Sequence, residues 1–205
     1  MENNITLKPK ITLKKKGDSA DVASFTKMKV ELSWKLQRNK DNELGPDFDL
    51  MAFYKARDGR VGGVCSELYN NNRSDMGYID KFPFMELDKD DKADDSSQEG
   101  EEANELLKIS KIDDFEEVFI CVINYDDAVE NIPEVFGKYS GYVTVQSDGG
   151  DNFEVPLDSN ETGHVAVICK IIFHNGKPRL INVNDTISLS KFATTMPGAS
   201  LVINS

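Results

Sequence analysis

Histidine is nearly missing from this 205-residue chain, which has only His164 and His174, and cysteine is scarce, with Cys65, Cys121 and Cys169 far apart. On one straight strand the two histidines would face the same side about 30 Å from each other and could not share a metal. No Cys-x-x-Cys and no His-Glu-x-x-His occurs, which argues against a zinc site. Both histidines read as strand-end surface residues. An odd, scattered cysteine count suits a reducing cytoplasm better than a disulfide framework. Cys121 and Cys169 fall in apolar runs and read as small buried hydrophobes. Catalytic signatures are lacking too. There is no Gly-x-Ser-x-Gly, no cysteine beside a plausible base, and no Gly-x-x-x-x-Gly-Lys-Ser/Thr after a strand. Without a legible nucleophile or phosphate loop, the expectation is a protein that is not an enzyme.

Positive charge is also in short supply. Lysine and arginine number 24 against 36 aspartates and glutamates, for a formal net charge of -12 and a pI near 4.6. Phosphate binding needs clustered cations, so nucleic acid is excluded as the main partner. No run is long and apolar enough to span a bilayer as a helix, so direct membrane insertion is not expected. The opening MENNITLKPK shows no apolar core of a secretory signal, and the expected location is cytoplasmic.

Helical periodicity is rare, and alternation is everywhere. A hydrophobic share of 39% suffices for one real core, so residues 1–205 read as a single domain. Ile5 to Leu13 alternates Ile and Leu with Thr and Lys, as an edge strand guarded by lysines would; a docking patch for an acidic partner is the other reading of those lysines. Met28 to Leu36 puts Val30, Leu32, Trp34 and Leu36 on one face. Phe48 to Ala56 and Val61 to Tyr69 flank a turn at Asp58-Gly59. Tyr78 to Leu87 reads as a strand bent at Pro83, and Leu106 to Ile109 restarts sheet character. Val118 to Tyr125 is apolar enough to be covered on both faces. A short helix is expected over Asp126 to Ile132. Strands follow at Gly141 to Gln146 and Phe153 to Leu157, then Gly163 to Phe173 and Lys177 to Val183 around the hairpin signal Asn175-Gly176. Ile187 to Phe192 and Ser200 to Ile203 read as further short strands. The sum is an all-β fold, an antiparallel β-sandwich of two packed sheets with one or two short helices.

Negative charge, by contrast, is concentrated. Residues 86–105 read ELDKDDKADDSSQEGEEANE, with ten carboxylates, two lysines and a formal charge of -8. Such a run is either a mobile solvated loop or a hard-cation site whose ion cancels the repulsion. An EF-hand laid on Asp88 to Glu99 fails, because Lys92 takes a ligand position and Ala93 stands where the turn needs glycine. Upstream, Asp47 and Asp49 flank Phe48. At a strand start, period 2 sends both carboxylates to one face while Phe48 packs inward. Calcium takes about 6–8 oxygens in flexible geometry, which two rigid carboxylates plus an acidic loop can supply; magnesium demands stricter octahedral order.

The order of segments resembles the TerD domain family of bacterial tellurium-resistance and stress-response proteins, from Leu13 to about Val183. Leu13-Lys14-Lys15-Lys16-Gly17 resembles that family's LKKG opening, and Val30-Glu31-Leu32-Ser33-Trp34 its strand ending in Gly-Trp-Asp, with Lys35 in place of the Asp. Asp47-Phe48-Asp49-Leu50-Met51-Ala52 resembles its Asp-Leu-Asp-Ala segment. Phe136-Gly137 with Tyr142-Val143, and Ile172-Phe173-His174-Asn175-Gly176-Lys177, are similar to two later stretches. The resemblance implies Ca²⁺ held by Asp47 and Asp49 together with a second acidic loop. Asp88, Asp90 and Asp91 would start that loop, and Glu102 and Glu105 would end it. It also implies a non-enzymatic stress-response or tellurite-resistance module inside a protein assembly, with membrane association of that assembly as one option. The alternative from charge alone is a metal-free scaffold whose acidic loop docks a basic partner.

Overall fold

Alternating apolar and polar residues decide which side of each strand is buried. The computed structural model describes residues 7–38, 42–66, 75–88, 98–174 and 176–203. In chain order the strands are β1 (Ile11–Thr12), β2 (Ser19–Asp21), β3 (Met28–Lys35), β4 (Gln37–Arg38), β5 (Leu44–Gly45), β6 (Phe48–Ala56), β7 (Val61–Val64) and β8 (Gly77–Tyr78). They continue with β9 (Met85–Leu87), β10 (Glu102–Ile109), β11 (Phe115–Asn124), β12 (Gly141–Ser147), β13 (Asn152–Leu157), β14 (Val165–His174) and β15 (Lys177–Ile187). Among the described residues, one sheet has the order β1-β13-β12-β3-β10-β9-β8 and the other β2-β15-β14-β11-β6-β7, while β4 and β5 form a separate ribbon. Neighbours run antiparallel except β1, which lies parallel to β13. The all-β sandwich expected from the sequence is the fold.

Between the sheets, Val30, Leu32 and Trp34 of β3 meet Phe48, Leu50 and Tyr54 of β6 and Val118, Ile120 and Val122 of β11. The other side of β6 is covered as well. Met51 and Phe53 join Cys121, Phe192, Met196 and Ala199 in a second apolar layer, and the Phe53 and Phe192 rings meet edge to face at 5.0 Å.

That layer corrects the reading of the C-terminal stretches as strands. They are helices, α2 (Leu189–Thr195) and α3 (Ala199–Ile203), added to α1 (Tyr125–Val129) and a 3₁₀ turn at Phe136–Tyr139. The Ser188 hydroxyl accepts from the Lys191 backbone N–H at 3.3 Å, and Phe192, Met196 and Ala199 recur at helical spacing on the covered side. The helices therefore exceed the one or two expected.

Several expected bounds also differ, among them the return strand from Val61, which ends at Val64, and the strands at β10, β11 and β15, which are longer than expected. Among the described residues of the expected first strand, 7–13, only Ile11–Thr12 is strand. The lysines near it bind within the chain, Lys8 to Asp151 at 3.2 Å, Lys10 to Glu154 at 2.6 Å, and Lys16 to Asp185. The bent strand at Pro83 is two strands, β8 and β9, separated by Phe84 at a φ of 59°. The acidic passage is trimmed at both ends, since Glu86 and Leu87 belong to β9 and Glu102 to Glu105 to β10. Pairing decides this, as Glu102 lies opposite Lys35 and Glu105 opposite Leu32.

Cys65, Cys121 and Cys169 are buried free thiols. Burial pushes the Cys65 and Cys169 thiols up to about 12, and Cys121 is also driven upward, chiefly by desolvation. Thiolate is the reactive form. Native protein at pH 8 is therefore expected to resist a thiol-specific chromogenic reagent, and all three cysteines to react once urea unfolds the chain. Rapid native labelling would show an opening that the packing does not provide.

Candidate metal site

The start of β6 is fixed by an aromatic cluster. Trp34 of β3 donates its indole N–H to the Pro46 carbonyl at 2.9 Å. Its ring lies 5.5 Å from Phe48, which in turn lies 5.3 Å from Phe136 and 5.1 Å, edge to face, from Tyr139. The Tyr139 hydroxyl donates to buried Glu134 at 2.8 Å, and Lys138 pairs with the same carboxylate at 2.7 Å. Phe48 packs inward, as its place between two aspartates predicts.

Two carboxylates are buried beside this anchor. Asp49, second in β6, is 9% exposed and accepts from the Ser66 hydroxyl at 2.7 Å. Its side of the strand is that of Met51 and Phe53. Glu105 is 7% exposed and shares the inward side of β10 with Leu107 and Ile109. It crosses between the sheets and accepts from the backbone N–H of Leu50. The pairing of β7 with β6 covers only Ala52 to Lys55, so at Leu50 the carboxylate stands where a strand acceptor would. Asp47 is half-buried immediately before the strand. Two carboxylates, one on β6 and one reaching its backbone from β10, thus have little contact with solvent. An ionised carboxylate in such surroundings needs hydrogen bonds or a cation to offset its lost hydration.

The remaining candidates divide. Asp88 is exposed, pairs with Lys108 at 2.7 Å, and continues the β9–β10 ladder through its N–H to the Leu106 carbonyl at 2.8 Å. Glu102 is exposed beside Lys35 at 3.6 Å and the Tyr142 hydroxyl at 3.3 Å. A spacing of three along a strand sends Glu102 and Glu105 to opposite faces. The structure thus brings Glu105 to the β6 backbone next to Asp49, whose own side chain lies on the other side of that strand, and leaves Asp88 and Glu102 on the outer face. Asp90 and Asp91 lie outside the described residues. Among the described residues, no group of three or more histidine, cysteine, aspartate or glutamate side chains is placed to hold a metal ion. The donors present are carboxylate and hydroxyl oxygens, which fit a hard cation such as Ca²⁺ and not a soft one.

Sequence reasoning missed Ser66, because nothing in its spacing marks it as the partner of Asp49. His164 corrects another expectation. It is half-buried, and both ring nitrogens are enclosed without a hydrogen-bond partner among the described residues. Its backbone N–H bonds the Ile187 carbonyl at 2.9 Å, so it stands at a strand end, just before β14, as expected, but its ring is enclosed and not on the open surface. His174 is exposed as expected.

No family model matches the chain, and no curated protein matches it. Among solved structures, a protein described as SAV2460, of unknown function, is similar at 14% identity over 82% of this chain and 95% of that chain, with a TM-score of 0.49. Nothing is transferred from a likeness at that level.

Removing the Glu105 carboxylate strands the Leu50 N–H. In chelator-treated protein, Glu105→Ala is expected to lower unfolding free energy by about 1–3 kcal/mol, read by urea titration. Glu105→Gln keeps an acceptor and is expected to lose less. Equal losses would show that the bond to Leu50 contributes nothing.

Proposed function

We propose that the chain is a calcium-binding, non-enzymatic module that acts within a protein assembly. The observation that carries this reading is the burial of Asp49 at the anchored start of β6 and of Glu105, which reaches from β10 to the Leu50 N–H beside it, with Asp47 just before the strand. Asp49 and Glu105 would hold the ion from the rigid side, and carboxylates of the acidic passage would complete the shell, Asp90 and Asp91 foremost. A divalent ion there offsets the mutual repulsion of the cluster. The five ordered sequence segments support placing the module among TerD-like stress-response proteins, with tellurite resistance as the associated phenotype. Its partners would then be other members of that assembly.

A second reading keeps the fold and drops the metal. The basic N-terminal segment uses Lys8, Lys10 and Lys16 on Asp151, Glu154 and Asp185, so those lysines do not neutralise the acidic passage. A basic partner protein could then dock there electrostatically.

A thermal melt separates the two. Ligand that binds only the folded state at 100 times its Kd stabilises by about 2.7 kcal/mol. Millimolar Ca²⁺ is expected to raise the midpoint by several degrees over chelator, with Mg²⁺ less effective, and Asp49→Asn is expected to abolish the gain. An unchanged midpoint in Ca²⁺, together with salt-sensitive binding of a lysine-rich peptide, would reject the calcium reading in favour of the scaffold.

A further inference from the structure

The opposite end of the sandwich holds a cleft of about 380 Å³, within the range of roughly 300–1,000 Å³ usual for small-molecule sites. Residues 22–27 carry the chain from β2 across to β3, and residues 110–114 carry it from β10 across to β11. The cleft opens between these crossings and the β14–β15 hairpin. Along β6 it is the Ala56 end, where Ala56 faces Phe115, seven residues and about 24 Å from Asp49. It is independent of the calcium reading.

The walls are built before any ligand arrives. The Val22 N–H bonds the Pro178 carbonyl at 2.8 Å. The Ala23 N–H donates to Asp151 at 2.8 Å, and the Ser147 hydroxyl donates to the same carboxylate oxygen at 2.9 Å. Arg57 lies 4.7 Å over the Phe173 ring and donates from Nε to the Asp113 carbonyl at 2.8 Å. Phe25, Ile112, Phe173 and Pro178 form an apolar patch in a lining that is mostly polar.

The charges around it sort into used and unused. Lys8 pairs with Asp151, Lys111 with Asp114 at 2.8 Å, and Arg179 with Asp21 at 2.7 Å. Lys177 and Asp113 also line the cleft, both exposed, and neither forms an ion pair among the described residues. One cation and one anion without an ion pair among the described residues therefore line the cleft beside its apolar patch, with Lys177 near enough to Asp21 to help hold that carboxyl below its usual value after Arg179. A ligand that is only anionic meets Asp113 and its neighbours, and one that is only cationic meets Lys111 and Lys177. A molecule carrying both charges satisfies both, so the cleft selects by repulsion as well as attraction.

We propose that this cleft binds a small zwitterion with an apolar side chain, of the amino-acid class, its carboxylate on Lys177 and its ammonium on Asp113. The test is a titration of the full chain with L-phenylalanine, followed by backbone amide NMR, beside 3-phenylpropionate and phenethylamine as single-charge analogues. The amides of Phe25, Ile112 and Lys177 are expected to shift together on one saturable curve, with a Kd of order 1 mM. Each analogue is expected to bind at least about tenfold more weakly, the loss of one charge-assisted contact. Lys177→Gln should remove the advantage over phenethylamine, and Asp113→Asn the advantage over 3-phenylpropionate; both positions are exposed, and the amide spectrum itself reports whether each variant folds. The proposal is overturned if those amides stay still at about 20 mM phenylalanine, if the analogues bind equally well, or if the variants leave the preference unchanged.

Discussion

A carboxylate reaches from one sheet to the backbone of the other at the start of β6, and it can do so only in one register of that strand. Glu105 leaves β10 and accepts the Leu50 N–H of β6, in a space where the neighbouring inward positions, Leu107 and Ile109, are fully apolar. The bond needs β6 to begin at one register and no other. That register is imposed by Phe48, wedged among Trp34, Phe136 and Tyr139, and by the indole bond to Pro46. A slip of one residue would turn Phe48 outward and Asp49 into the inter-sheet core. Aromatic packing therefore sets where the carboxylates stand, and the hydrogen bonds of Glu105 and Asp49 follow from it.

What could be read in advance follows the same logic. The strand Met28–Lys35 is legible because Val30, Leu32 and Trp34 alternate against charged residues, and Phe48–Ala56 because a long apolar run lies between turn signals. The hairpin at Gly176 is legible because its turn chemistry is local. The C-terminal helices are not. Short apolar runs such as Ile187 to Phe192 fit either period, and only the uncovered face of β6, contributed by residues more than a hundred positions earlier, decides for helix.

The site is legible in its residue types and less so in its geometry. Asp47, Asp49 and Glu105 announce themselves by charge beside apolar strands. That Glu105 faces inward and Glu102 outward depends on where β10 starts, and cross-strand pairing with β3 sets that start. Local pattern within the acidic passage carries no such information, because its residues are polar on both parities. Ser66 and His164 are hidden for a related reason, since each owes its surroundings to a neighbour remote in sequence.

Buried charge is an inefficient way to hold two sheets together. A hydrophobic residue of similar volume in place of a buried ionic group is often neutral or stabilising, and the fold already has Leu50, Leu107 and Ile109 in this core. The Leu50 N–H alone would be served as well by a neutral amide oxygen. A carboxylate at Glu105, with a second at Asp49 that accepts from the Ser66 hydroxyl at 2.7 Å, leaves room for a role beyond packing. On the proposed calcium reading a divalent cation would supply one, by offsetting the negative charge of carboxylates around it. The same ion would draw in carboxylates from the acidic passage, so that the charge concentrated there and the rigidity of β6 act on one centre.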